Sequence, residues 1–288
     1  MILRSLTKHV RDQNWFAVVI DFGIVAALVC ALAFTTAQAQ HATQDDQAAE
    51  LAKKLANPVA ALISVPLQYN YDENIGQNGD GSKSVLNVQP VTPFSLNDDW
   101  NLIVRTIVPL IDQNDISAKG QSESGIGDVV QSFLFSPKAP IGGWILAIGP
   151  VGLYPTASKE VLGGEKWGVG PTALALKQSG PWTYGVLTNH IESFAGDDDR
   201  ADISATFMQP FVSYITKTKT TLTLQTESTY DWESKQWSVP VNASVSQLLN
   251  IGPQILQLQI GVRYWADHGD NGPEDWGLRA GVTFLFPK

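Results

Sequence analysis

From residue 59 to the C-terminus, apolar and polar side chains alternate with a period of two. Leu256, Leu258, Ile260, Val262 and Tyr264 interleave with Gln257, Gln259, Gly261, Arg263 and Trp265. Leu222, Leu224, Thr226, Ser228 and Tyr230 alternate in the same way with Thr221, Thr223, Gln225, Glu227 and Thr229. Successive side chains of a strand point to opposite faces, so this pattern predicts strands with one apolar and one polar face. The pattern predicts strands at 59–71, 83–94, 100–112, 125–136, 143–156, 167–178, 182–194, 203–216, 220–232, 236–248, 254–266 and 275–287. Several are longer than the five or six residues usual for a sandwich strand.

The links between these strands fall into two classes. Ser95–Asp99, Pro137–Gly142, Ser179–Pro181, Lys217–Lys219 and Leu249–Pro253 are short. Asp72–Ser82, Gln113–Ser124, Ala157–Lys166, Ala195–Asp202 and Asp267–Glu274 are mostly longer and acidic. Alternating short turns and long loops are expected of an outer-membrane barrel with periplasmic and extracellular ends. The fold class read from this pattern is all-β, a transmembrane antiparallel up-and-down β-barrel of about twelve strands. Tyr69, Tyr71, Tyr230, Trp232, Trp237, Tyr264 and Trp265 are expected near the outer strand ends. Trp100, Trp182, Phe284 and Phe286 are expected at the inner ends or on the last strand, so the two sets would form interfacial girdles. Pro66, Pro90, Pro109, Pro150, Pro171, Pro210 and Pro240 lie inside expected strands. Each removes a ladder hydrogen bond, so the sheet needs bulges or breaks around them.

Before the first strand the period changes to 3.6. Ala48, Leu51, Ala52 and Leu55 share one face of a helix expected over Asp45–Asn57, with Asp45 or Asp46 as cap and Pro58 as terminator. This short N-terminal helix is assigned to the periplasmic side. Residues 40–58 are a candidate plug, with Leu51 and Leu55 its contact residues. Further upstream, Arg4, Lys8 and Arg11 precede the apolar run Phe22–Phe34, and Ala37-Gln38-Ala39 gives a small-x-small site. Residues 1–39 therefore read as a signal peptide cleaved after Ala39, with 59–288 as the barrel. An uncleaved inner-membrane anchor is the alternative, and Met1–Val25 resembles the start of an unrelated anchored family. The apolar run is shorter than the ~20 residues a spanning helix needs.

Composition narrows the function classes. Charged residues make up only 16% of the chain, against roughly 25% in soluble domains. The net charge of −9 argues against nucleic-acid partners. Cys30, the only cysteine, lies in the expected signal, so the mature chain has no cysteine framework. The acidic loops around Asp197-Asp198-Asp199 and Asp267–Asp275 lack a calcium-loop spacing, and no metal or cofactor is expected. Placing the apolar faces outward puts Arg105, Asp128, Gln225, Glu227, Gln257, Gln259, Arg263 and Arg279 in the lumen, since a charge facing lipid costs about 2–4 kcal/mol at the midplane. These residues either line a solute path or pair structurally. His190 and Glu192 share a strand face with Thr188 and are counted as lumen candidates as well. A base with an orienting carboxylate is the alternative reading of that pair. It lacks a serine in a nucleophile setting, and no enzyme is expected.

Short motifs carry a resemblance. Ala49–Pro58 leads into Ala60–Gln68, followed by Gly125-Ile126-Gly127-Asp128, Phe135-Ser136-Pro137-Lys138, Glu165-Lys166-Trp167-Gly168, Phe194-Ala195-Gly196-Asp197 and Thr229-Tyr230-Asp231-Trp232. As a set, over roughly 48–288, they resemble the MetA-pathway-of-phenol-degradation family of outer-membrane proteins, some of which carry the name neuromedin U. The resemblance implies a barrel transporter for hydrophobic or aromatic compounds and carries over no catalytic residue. The expected function is thus a monomeric outer-membrane channel for small solutes, with outer-membrane lipid as its surroundings. A barrel enzyme and a closed structural or adhesive barrel are the alternatives.

Overall fold

The computed structural model describes residues 50–252 and 254–286. The expected signal peptide, its cleavage site and the Asp45/Asp46 cap lie outside the described residues. Strand segments follow one another as β1 (Ile63–Ile75), β2 (Gly81–Val88), β3 (Val91–Ser95), β4 (Trp100–Asn114), β5 (Ser122–Ile126), β6 (Val129–Pro137), β7 (Trp144–Tyr154) and β8 (Lys166–Ser179). The remainder are β9 (Trp182–Gly196), β10 (Ser204–Ile215), β11 (Thr220–Thr226), β12 (Ser228–Asp231), β13 (Gln236–Ile251), β14 (Gln254–Asp267) and β15 (Asp275–Phe286). Every pairing is antiparallel between sequence neighbours, and β15 closes on β1 with Ile63 opposite Phe286. Segments β2/β3, β5/β6 and β11/β12 are each one span interrupted by a break, so the barrel has 12 strands.

The expected strands are all present, and most extend further at the long-loop end. β1 begins at Ile63, not Val59, and runs on to Ile75, so the first loop shrinks to residues 76–80. Residues 59–62 leave the wall because Val59, Ala60 and Leu62 are buried inside the barrel. Lipid-facing positions carry exposed Leu222, Leu224, Val245, Ile260, Val262 and Leu278. Aromatic side chains bracket this belt. Trp144 and Tyr184 meet edge-on at 6.0 Å near the short turns, and Tyr264 and Trp276 lie 5.0 Å apart near the long loops. Trp265 departs from the expected girdle, since its indole points inward and donates to Asp72.

The prolines account for the breaks. In an antiparallel ladder the N–H and C=O of one residue point to the same neighbour. The Pro66 carbonyl accepts from Gln89 N at 2.8 Å, in the gap between β2 and β3. Pro109 accepts from Gly127 at 2.9 Å, between β5 and β6, and Pro240 from Glu227 at 3.2 Å, between β11 and β12. Each proline therefore aims its missing donor at a place where the adjacent strand is already broken. Pro210 borders the last of these breaks from the other side, between the pairs Phe211–Gln225 and Met208–Ser228.

Pro150 and Pro171 are solved differently. They face each other across β7 and β8, so their missing donors point outward to β6 and β9. The ladder drops its pairs there, between Ser132–Val151 and Phe135–Ile148 and between Val169–Glu192 and Thr172–Asn189, with the register unchanged. The backbones draw together at these gaps. A Cβ on Gly149 would overlap the Phe133 carbonyl, and one on Gly170 would overlap the His190 carbonyl. Gly170→Ala is expected to lower the stability of the folded barrel by about 1–3 kcal/mol, the usual cost of overpacking. Urea unfolding in detergent, followed by tryptophan fluorescence, measures it.

Candidate functional site: a lumen with an internal plug

Residues 50–62 fold back inside the short-turn end of the barrel. A single helical stretch, 50–55, presents Leu51 and Leu55 to Ala60, Leu62, Leu285, Leu248 and Ile255. Val59 sits among Ile103, Leu134, Ala147, Leu174, Leu176 and Leu187, all of them wall residues pointing inward. Asn57 caps the turn by accepting from Val59 N at 3.0 Å, and Gln178 of the wall donates to the Lys53 carbonyl at 2.8 Å. Ala52 is 1% exposed. The inner wall that meets Val59 is thus apolar, while Gln178, Thr183, Ser213 and Thr221 keep other parts of this end polar.

Above the plug lies a charged network. Arg279 grips Glu227 through two bonds, Nη1–Oε1 at 2.9 Å and Nη2–Oε2 at 2.6 Å. Arg263 reaches the same carboxylate at 3.1 Å and Asp72 at 2.9 Å. Asn70 and Asn242 accept from the two Nε atoms, at 2.8 Å from Arg279 and 3.2 Å from Arg263. Trp265 donates to Asp72 at 2.9 Å, and its ring lies 5.0 Å from the Arg263 guanidinium. Gln225 donates to Glu227 at 3.1 Å and accepts from Gln209 at 3.1 Å. Two cations and two carboxylates balance, and bidentate charge-assisted bonds hold them in place. Gln259 stands beside this set and donates to Ser244 at 3.1 Å.

The other inward candidates separate. Arg105 donates to Gln89 at 2.7 Å, and together with Gln257 it faces a cavity above the plug. Asp128 does not meet Arg105. It accepts from Ala157 N at 3.1 Å and Gly164 N at 2.6 Å, fixing the 155–165 connection. That connection turns inward through a short 3-10 turn, Glu160–Leu162, with Leu162 buried and its carbonyl over the inner face of Gly127. Arg200 from the next loop donates to the Glu160 and Gly163 carbonyls and pairs with Glu165. Beside it, the hydrogen bond from Lys166 holds the Asp202 carboxyl below the usual carboxylate range. Arg200→Ala is expected to raise proteolysis and hydrogen exchange within 157–164 while leaving barrel unfolding in place, because the staple touches only this loop.

His190 and Glu192 are a correction. Their β10 partner positions are Thr206 and Ser204, and the preceding Asn189 pairs with Phe207, which packs against the lumen cluster. His190 therefore faces outward. It touches Thr206 at 2.9 Å and Glu192 at 3.2 Å, and Trp232 donates to the same Thr206 hydroxyl. A polar outward group is tolerated here because it sits beside the outer aromatic band, where headgroups and water replace acyl chains. Polarity alone misassigned it.

Asn70, Asp72, Asn242, Trp265, Gln89 and Gln209 join the lumen set without having been expected there. Trp265 already falls with Gln257, Gln259 and Arg263 in the alternation of 256–265. Asp72 opens the link expected after the first strand, and Gln89 falls at a proline break.

No protein-family model matches the chain, and no curated protein matches it. Among solved structures, an outer membrane channel from Pseudomonas putida F1 matches with a TM-score of 0.62 at 16% identity, over 78% of this chain and 96% of that one. The NanC porin matches with a TM-score of 0.48 at 12% identity, over 78% of this chain and 100% of that one. Outer membrane phospholipase A from Escherichia coli matches with a TM-score of 0.40 at 12% identity, over 82% of this chain and 98% of that one. At these identities the likeness concerns the fold. The chain has the closed 12-strand antiparallel barrel of outer-membrane proteins.

Proposed function

We propose that the protein is a monomeric outer-membrane channel for small solutes, exported with residues 1–39 as a cleaved signal. The observation that carries the reading is a polar lumen whose short-turn end is filled by the chain's own residues 50–62. The fold likeness to the Pseudomonas putida channel supports it. The resemblance to MetA-pathway-of-phenol-degradation proteins adds hydrophobic or aromatic compounds as the solute class. The apolar inner wall around Val59 suits such solutes once the plug moves aside, since burying apolar surface is favourable by about 25 cal/mol per Å².

The test is planar-bilayer recording of refolded protein together with solute flux into proteoliposomes. Discrete current steps and flux of small neutral solutes are expected. No current and no flux, even after residues 45–57 are removed, would sink the channel reading.

A further inference from the structure

The lumen treats its arginines unequally. Arg263 and Arg279 are bound to carboxylates, whereas Arg105 forms no ion pair among the described residues and places one donor on Gln89. Arg105 opens onto a cavity of about 180 Å³ between the plug and the network. Its polar lining includes Arg105, Lys54, Gln89, Gln209 and Gln257, with Leu55, Leu62 and Val91 among its apolar walls. No Asp or Glu lines it, although the whole chain carries −9. A guanidinium with donors to spare, at the rim of an apolar wall, gains most from a planar anion that accepts two parallel bonds. The volume is below the roughly 300–1,000 Å³ of sites for drug-sized ligands, which limits the occupant to about one ring.

We propose that this cavity is a subsite for small amphipathic organic carboxylates, with Arg105 holding the carboxylate and the plug-side apolar wall holding the body. The glutamines at positions 89, 209 and 257 supply amide donors to the same group. The subsite rests on the channel reading, because it makes the cavity a station on the solute path.

The experiment uses refolded full-length protein in detergent, with benzoate as probe and benzyl alcohol as its neutral counterpart. Calorimetric titration is corrected for protein-free micelles. Benzoate is expected to bind about tenfold or more tightly than benzyl alcohol, and Arg105→Gln is expected to abolish that difference. Gln257→Glu, which puts a competing carboxylate into the cavity, is expected to have the same effect and stands in if Arg105→Gln does not fold. Equal binding of the two probes, unchanged benzoate binding in both variants, or no benzoate binding by folded protein would overturn the subsite. Bilayer recordings keep the two readings apart. Arg105-dependent benzoate binding without any current overturns the channel and leaves the subsite. Current without Arg105-dependent binding does the reverse.

Discussion

Removing residues 45–58 is expected to raise single-channel conductance severalfold and to leave the barrel folded. Its described residues 50–58 occupy the short-turn end, so their loss opens that end. The barrel itself closes through the β15–β1 ladder, from Ile63–Phe286 to Tyr71–Leu278, which the deletion does not touch. The cost is the burial of Ala52 and the partial burial of Leu51 and Leu55, less than the about 1.5–3 kcal/mol that a fully buried leucine contributes. It is tolerable because the exposed inner wall around Leu174 and Leu176 becomes wet without breaking any strand pair. Val59→Asp is a milder version, since a carboxylate cannot rest among Ile103, Leu134 and Leu187. It should raise the open fraction more than the unit conductance. Unaltered currents in both variants would show that the segment is not the constriction.

Glu227→Ala is expected to be the most destabilising single substitution in the lumen, by about 3–5 kcal/mol, because it leaves buried charges without their partner. Arg279 is 1% exposed and loses both of its ionic contacts, and Arg263 keeps only Asp72. Glu227 sits at the break between β11 and β12, so no ladder pair of its own holds that position. Combining Glu227→Gln with Arg279→Met should cost less than the two separate changes added together, the signature of a directly coupled pair. Unfolding midpoints in urea, measured in one detergent, give all four corners of the cycle. Additive effects would mean that the bidentate contact contributes little.

The sequence made the barrel legible where strand faces differ in polarity and hid it where they do not. β14 alternates Leu256, Leu258 and Ile260 against Gln257, Gln259 and Arg263, and the ladder sets the two groups on opposite faces. In β4, Leu102, Ile103 and Val104 are all apolar, so the inward direction of Ile103 is marked only by Arg105 two residues on, and its packing against the plug is not marked at all. His190 fails for the opposite reason, with a polar residue facing outward at the interface. Leu51 and Leu55 read as a packing face, but the burial of Val59, Ala60 and Leu62 did not show, because those residues continue the apolar pattern of the first strand. The pairing of Asp72 with Arg263 joins residues 191 positions apart, and no local spacing encodes it. The prolines marked the breaks, yet their placement became intelligible only through the neighbour each one faces.

In the proposed channel the lumen, not the outer surface, carries solute, and one labelling experiment tests this directly. Cys30 is the only cysteine and is replaced by Ser, after which Gln209→Cys on the inner face and Met208→Cys on the outer face are compared in bilayers. A charged, membrane-impermeant methanethiosulfonate is predicted to react with Cys at 209 and to reduce the current, while Cys at 208, in lipid, stays unreactive and conducts unchanged. Reaction at 208 with protection at 209, or full modification at 209 without any change in current, would contradict the account.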